Sequence, residues 1–409
     1  MIGHGGDVKG IAISPDGRRA LSASFDYSLI LWDVAEQKRI RQFFDHNGAV
    51  NGAVFLPDGR HALSVSDDGT MRLWDTESGA QIHIFEGHQG RVAAVAISPD
   101  GRIAASAGWD HTVRLWDVAG RSTLATLRGH KGNVNTVAFA PDGKTLASAG
   151  YDGDIRIWRS ADGAPVNILK GNGFAVNSLA FAPAGGRIIA GGIDEILRIR
   201  HIGTGAVLRA LKGHDGSIYG IALSPDGRHI ASGGADKLIR LWDFETGRLL
   251  RYMRGHDRTV WSLAFSADGK TLLSSGSDEV VRAWEVANGG EIGAPFRLAG
   301  EGGDDQPKDR GARLFATCSA CHSLKPEGGG RAGPTLYGLF GRRIGSLPGY
   351  RYSDALKNST IVWNERTISE LFSQGPALYV PGTKMPLQRM PKAEDRADLI
   401  AYLKRVTAK

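Results

Sequence analysis

Two cysteines and five methionines are all the sulfur in a chain of 409 residues. So few thiols exclude a disulfide-stapled fold. They also exclude a cysteine-built zinc centre, which needs about four ligands. No apolar run approaches the ~18 residues that carry a helix across a bilayer, so no transmembrane segment is expected. The start, Met1-Ile2-Gly3-His4, lacks the basic n-region and apolar h-region of a secretory signal. Basic runs interleaved with stacking aromatics are missing too, which argues against nucleic acid as a partner despite a net charge of +7. What the chain has in quantity is glycine, 56 residues, the mark of many tight turns. Its length suits two or three domains.

The charge is unevenly spread. From Gln306 to Lys409 there are 17 lysines and arginines against 8 carboxylates, a balance of +9, and the rest of the chain carries 33 against 35. Basicity therefore belongs to the C-terminal quarter, and a partner with an acidic docking face is expected there.

The first three hundred residues repeat. Gly3-His4, Asp45-His46, Gly87-His88, Gly129-His130, Gly171-Asn172, Gly213-His214 and Gly255-His256 follow at steps of 42 residues without insertion. Each unit reads alike. An alternating run such as Val8 to Ile13 meets the turn Ser14-Pro15-Asp16-Gly17, then small residues Ala20 to Ser24, an Asp, a run ending Trp32-Asp33, and a closing strand. Four short strands per ~42-residue period are the pattern of a propeller blade.

This stretch resembles the WD-repeat family. The resemblance implies a seven-bladed β-propeller with four-stranded blades over residues 1–298, acting as a protein-protein interaction scaffold. It also implies that each blade is locked by its His, a strand Ser or Thr, the turn Asp and the Trp. The matching pairs are Asp26 with Trp32, Asp68 with Trp74, Asp110 with Trp116, Asp152 with Trp158, Asp236 with Trp242 and Asp278 with Trp284. The fifth unit departs, with Asn172 for His and Arg200 for Trp while Asp194 stays. Its lock is expected to be weaker or differently built, with repeat drift as the first explanation and more freedom to bind something as the second. The seventh unit is expected to supply its own outer strand near Glu291 to Leu298, and the natural chain to begin upstream of Met1.

Gly300 to Pro307 is polar and glycine-rich, so residues 299–308 read as a linker. Beyond it lies Cys318-Ser319-Ala320-Cys321-His322, a C-x-x-C-H haem attachment pattern. Two thiols reach the two vinyl groups, and the adjoining His322 reaches the iron from the same side. His322 is the sole histidine after His256, and Met385 and Met390 are the domain's methionines. Elimination therefore makes a methionine the second axial ligand. Met385, in a loop stiffened by Pro381 and Pro386, suits that role, which leaves Met390 to packing or solvent.

Residues 309–409 resemble a class I cytochrome c of the mitochondrial and alphaproteobacterial type, a small all-α domain. The resemblance rests on Gly333 to Arg342, on Pro348-Gly-Tyr-Arg-Tyr352 with Trp363, on Pro381-Gly-Thr-Lys-Met385, and on Arg396 to Lys404. It implies that the Pro334 carbonyl holds His322 and that Arg342, Tyr352 and Trp363 partner the haem propionates. One covalent haem c, with its iron between His322 and Met385, follows. Leu371 and Leu356 stand where the family often has a tyrosine and an asparagine.

The expected function is electron transfer to and from a redox protein partner, not substrate conversion, with the propeller holding an unidentified protein. The alternative is an oxidoreductase with a second cofactor or substrate site in the propeller. The histidines outside lock positions, His61, His83, His111, His201 and His229, share no constellation to support it. Covalent haem attachment takes place outside the bacterial cytoplasm, so a periplasmic location is expected.

Overall fold

The computed structural model describes residues 1–171, 173–293, 310–315, 318, 322–326, 334–348, 350, 352, 354–380, 383, 390 and 392–407. Cys321, Met385, Asn172 and the expected linker at 299–308 lie outside the described residues. The chain divides into two compact units, residues 1–295 and 296–409.

The first unit is built blade by blade. In blade 1, strands β1 (Val8–Ile13), β2 (Arg19–Ser24), β3 (Leu29–Asp33) and β4 (Lys38–Phe43) pair in sequence order, all antiparallel. The Ser14-Pro15-Asp16-Gly17 turn joins the first two. Gly17 has φ +72°, and the Asp16 carboxylate accepts from the Ser14 hydroxyl and the Arg18 amide. Small residues in β2 are wholly buried, and β4 faces water. That gradient follows from the ring: inner strands pack along neighbouring blades, and outer strands reach them through single side chains such as Phe43 on Trp74, ring centroids 5.4 Å apart. Blades are stitched through the inner strands. Asn51, Asn135 and Asn177 each donate from Nδ2 to a carbonyl of the next blade, at Val92, Val176 and Ile218 (2.8, 3.2 and 3.0 Å).

Six blades have four paired strands, and the seventh has three, Val260–Phe265, Thr271–Gly276 and Val281–Glu285. Its outer edge is covered from both ends of the unit. Glu291 bridges to Trp284, and the Ile292 amide donates to Ala283 O (2.7 Å). At the other end Met1 exchanges two backbone bonds with Val281 (2.8 and 3.1 Å), and Ile2 bridges to Val280. The outer strand expected from Glu291 to Leu298 alone is thus shared, and the two N-terminal residues take part.

Six blades carry a complete lock. In blade 1, Trp32 Nε1 donates to Ser22 Oγ (2.8 Å), and Ser22 Oγ meets His4 Nε2 (2.7 Å). His4 Nδ1 then donates to Asp26 Oδ2 (2.9 Å). The carboxylate fixes the proton on Nδ1, so Nε2 accepts from the serine and each of the four side chains has a partner. The same four-residue set recurs around Ser64, Ser106, Ser148, Ser232 and Ser274. The Gly of each Gly-His pair has a packing reason. A Cβ on Gly255 would stand 2.8 Å from the Trp284 ring.

Blade 5 has lost more than the sequence reading named. Its strands are Val176–Phe181, Arg187–Gly192, Leu197–His201 and Val207–Leu211. Ala190 stands in the serine's place, so hydroxyl, imidazole and indole are absent together. With serine and tryptophan both replaced, neither waits buried for the other, a mismatch that would cost ~1–3 kcal/mol. Asp194, the survivor, pairs instead with Arg198 (2.5 Å).

The second unit is small and helical: α1 (Arg310–Phe315), α2 (Asp354–Lys357), α3 (Glu365–Gln374), α4 (Pro376–Tyr379) and α5 (Ala393–Val406). Asn364 caps α3 in a reciprocal capping box with Thr367. The short α1 crosses α5 closely enough that a Cβ on Gly311 would stand 2.3 Å from Asp398 O. Glycine is therefore required there. Phe315 packs on Tyr402 with ring centroids 5.6 Å apart.

Candidate functional site

Of the C-x-x-C-H pattern, Cys318 and His322 lie among the described residues. Cys318 is buried with Phe315, Leu339, Ile368, Leu371 and Leu399, and Trp363, Leu356 and Met390 pack against the same cluster. Cys318 O accepts from the His322 amide (2.9 Å). His322 Nδ1 lies 2.8 Å from Pro334 O. A carbonyl only accepts, so Nδ1 carries the proton and Nε2 the lone pair. That tautomer is the form of imidazole that binds a metal, and an outer hydrogen bond of this type orients a ligating ring.

Two of the three residues expected at the propionates, Arg342 and Trp363, adjoin the antiparallel bridge of Arg343 with Val362, and Tyr352 lies by Arg342. Gly341 N donates to Trp363 O (2.8 Å) and Trp363 N to Arg342 O (3.0 Å), which fixes Arg342 opposite Trp363. The Arg342 guanidinium donates to Thr335 O (2.6 Å) and Tyr337 O (3.0 Å). Burial pulls its pKa down, and the neighbouring Tyr352 acts against that. Burial likewise pushes the Tyr352 phenol up, while Arg342 and a backbone bond at Leu347 lower it. Tyr352 leans on Tyr350, ring centroids 4.7 Å apart. A half-buried cation beside a protonated phenol is a donor pair suited to carboxylates.

Met390 is a packing residue. It sits on the apolar cluster, with its amide donating to Phe372 O (2.9 Å) and its carbonyl accepting from Arg396 (2.6 Å). Leu371 is buried and Leu356 partly so, which makes the surroundings of Cys318 apolar. Nearby, Tyr379 Oη donates to Glu370 (2.9 Å), and burial together with that carboxylate pushes its pKa up to about 12. The sequence reading did not name this pair, and nothing in residue spacing marks it.

In the propeller the five spare histidines stand apart on four blades. His61 pairs with Asp58 in a turn, His83 meets Phe85 edge to face, and His201 meets Thr204. Among the described residues no group of His, Cys, Asp or Glu gathers to hold a metal. An arginine ladder also escaped the sequence reading. Arg72, Arg114, Arg156, Arg198, Arg240 and Arg282 recur at the 42-residue step, and four of them pair with the lock Asp. The repeat itself was the signal that could have found it.

Seven blades, six of them locked, followed by a small helical unit with a C-x-x-C-H pattern define a propeller-cytochrome. The chain belongs to the WD40 repeat family, and its C-terminal unit to the cytochrome c family. The WD domain, G-beta repeat model matches seven times, at residues 1–33, 37–75, 79–117, 121–159, 163–200, 205–243 and 247–285. The cytochrome c model matches residues 309–407. Cytochrome c of Gibberella zeae is 50% identical over 96 residues, covering 23% of this chain and 90% of its own length. Those of Sesamum indicum and Arabidopsis thaliana are each 46% identical over 99 residues, 24% of this chain and 88% of their own. Membership of the cytochrome c family supports electron transfer through a haem for this unit. Among the described residues no helix is long and apolar enough to cross a membrane.

Proposed function

We propose that this protein is an electron carrier whose single haem c is bonded through Cys318 and Cys321, with His322 and Met385 as axial ligands. The observation that carries the reading is the His322 Nδ1 to Pro334 O bond, which sets the imidazole tautomer a haem iron requires. The apolar cluster around Cys318 fits a macrocycle, and Arg342 with Tyr352 fits its carboxylates. Bound haem supplies a one-electron couple. The chain's own residues orient the ligand ring, exclude water through Leu371 and Leu356, and neutralise the propionates through Arg342. The basic balance of this unit suits an acidic face on a redox partner.

In this proposal the propeller is a scaffold that keeps the cytochrome near one partner, and the protein works in the periplasm. Fractionated cells on denaturing gels stained for haem are expected to give a haem-positive band of the full chain in the periplasmic fraction. A haem-free cytosolic product overturns the location and the attachment together. The purified protein is expected to show one haem per chain in its alkaline pyridine spectrum and no other chromophore. A second cofactor would favour the oxidoreductase reading. Retention of the cytochrome on partner-containing membranes, lost when the propeller is removed, tests the scaffold.

A further inference from the structure

Blade 7 departs from its six siblings at two positions that face one seam. In the turn after the inner strand the other blades have proline, Pro15, Pro57, Pro99, Pro141, Pro183 and Pro225, and blade 7 has Ala267. Five of those prolines close on the turn glycine of the next blade, 3.0–3.7 Å from where its Cβ would stand. Gly17, the turn glycine that follows Ala267 around the ring, would meet nothing within 4 Å. The third strand repeats the loss. Leu31, Leu73, Leu115, Ile157, Ile199 and Leu241 each pack into the join with the following blade, and blade 7 has Ala283 in that place. Ala283 belongs to the cluster that blade 7 shares with blade 1. Both truncations therefore remove apolar atoms from the same join, where close packing is the rule.

What they leave is a groove of about 620 Å³ between the two blades. Val34, Ala35, Ala283 and Ile292 give it apolar walls. Gln37 of blade 1 fastens one of them, donating from Nε2 to Ile292 O (2.7 Å). The polar lining is acidic: Asp16, Asp33 and Asp268 stand against Arg18 alone. The Ser14 hydroxyl and the Arg18 amide hold the Asp16 carboxyl below its ordinary pKa, and Ser266 and the Lys270 amide do the same for Asp268, so both stay ionised. Two further cations act on these carboxylates from outside the groove. Arg19 is turned to blade 2, where it donates to Gly59 O (2.8 Å), and Lys270 is exposed and does not line the groove.

We propose that the join of blades 7 and 1 is a docking groove for a partner polypeptide that presents an apolar side chain beside arginine or lysine. The apolar side chain takes the space that Ala267 and Ala283 leave, and its basic neighbours meet Asp16, Asp33 and Asp268. The proposal rests on the scaffold reading of the propeller. Apolar burial supplies affinity here, and the carboxylates select the partner's sign of charge.

The test is fluorescence anisotropy on the holoprotein with labelled heptapeptides carrying a central Arg-Leu-Arg, against the same peptides with Glu-Leu-Glu. The Arg peptides are expected to bind at least about tenfold tighter. Ala267→Pro with Ala283→Leu gives blade 7 the residues of its siblings. That filled variant should melt no earlier than the native propeller, keep the haem spectrum and lose the peptides. Asp33→Asn with Asp268→Asn is the fallback should it not fold, and should bring the Arg peptides towards the Glu level. No binding, equal binding of Arg and Glu peptides, or full affinity in the filled variant overturns the groove. So does binding that emerges only when residues 294–298 are replaced by a Gly-Ser stretch, which would assign the groove to the chain's own continuation. Retention on membranes that needs the propeller but survives the filled variant would leave the scaffold reading standing without the groove.

Discussion

Histidine does opposite work in the two units. In six blades both ring nitrogens are consumed locally, Nδ1 by a carboxylate and Nε2 by a serine. At His322 the proton on Nδ1 faces a neutral carbonyl, and the ring is thereby poised to present Nε2 as a ligand. The first arrangement is closed and repeated. The second exists once. Blade 5 shows what repetition permits: three lock residues are gone, yet its four strands still pair in order. The haem unit has no second copy of anything it needs.

The largest effects should therefore fall in the second unit. Replacing Cys318 and Cys321 together by Ala is expected to abolish covalent haem, read as the loss of the stained band. His322→Ala should remove the low-spin spectrum. Ser148→Ala, which breaks a lock, should change neither. Haem retained in the double cysteine variant would sink the comparison at its root.

Packing at the helix crossing comes next. Gly311→Val puts a branched side chain where even a Cβ would overlap Asp398 O and Tyr402. Overpacking of this kind costs ~1–3 kcal/mol or more. Calorimetry should show the haem unit melting earlier and the propeller transition unmoved. A single shifted transition would mean that the two units unfold as one.

The unequal legibility of the two units has the same origin. A 42-residue period announces itself, because every blade must bury the same faces; hence the propeller, its locks and its count of blades were readable. The C-x-x-C-H turn was readable because chemistry fixes its spacing. What escaped was cooperative or long-range. Ala190 is an ordinary alanine until Arg200 and Asn172 are considered with it. The shared outer edge of the seventh blade joins Met1 to Val281, contacts that no local pattern reports. Tyr379 and Glu370 meet because α4 folds back on α3.

A smaller effect separates an intact lock from the lost one. Ser148→Ala strands Trp158 Nε1 and His130 Nε2, a cost of ~1–3 kcal/mol to the propeller transition. Ala190→Ser in blade 5 adds a hydroxyl with neither partner waiting and should bring no gain. A stabilising Ala190→Ser would mean that the blade still holds lock partners.

The subtlest contrast is in pH, where the two units should fail at opposite ends. Burial lowers the pKa of His46 and His130 below 6.5, so the unfolded chain takes up protons first and stability falls as pH drops through that range. Glu279, pushed up to about 7 by burial, works against this between about 7 and 4.5, because its protonated form is native. Between about pH 6.5 and 4.5 the two kinds of group thus pull the propeller's stability in opposite directions. Below that Glu279 drops out. Burial raises the pKa of Asp26, Asp68, Asp110, Asp236 and Asp278, but their lock bonds outweigh it and hold them low. The stability they contribute is present above about pH 4 and is lost as pH falls through their folded values. The haem unit runs the other way. Tyr379, near 12, and Tyr352, also raised, stabilise it below the ordinary tyrosine pKa of 10, and that stability is lost as pH climbs towards 12. Melting the protein from pH 3 to 11 and following each unit by its own signal, haem absorbance for one and tryptophan emission for the other, reads both limbs. Glu279→Gln should expose the histidine slope between pH 6.5 and 4.5. A propeller as stable at pH 3 as at pH 7 would mean that the locks do not depend on charged aspartates, and the contrast between the two kinds of histidine would lose its physical basis.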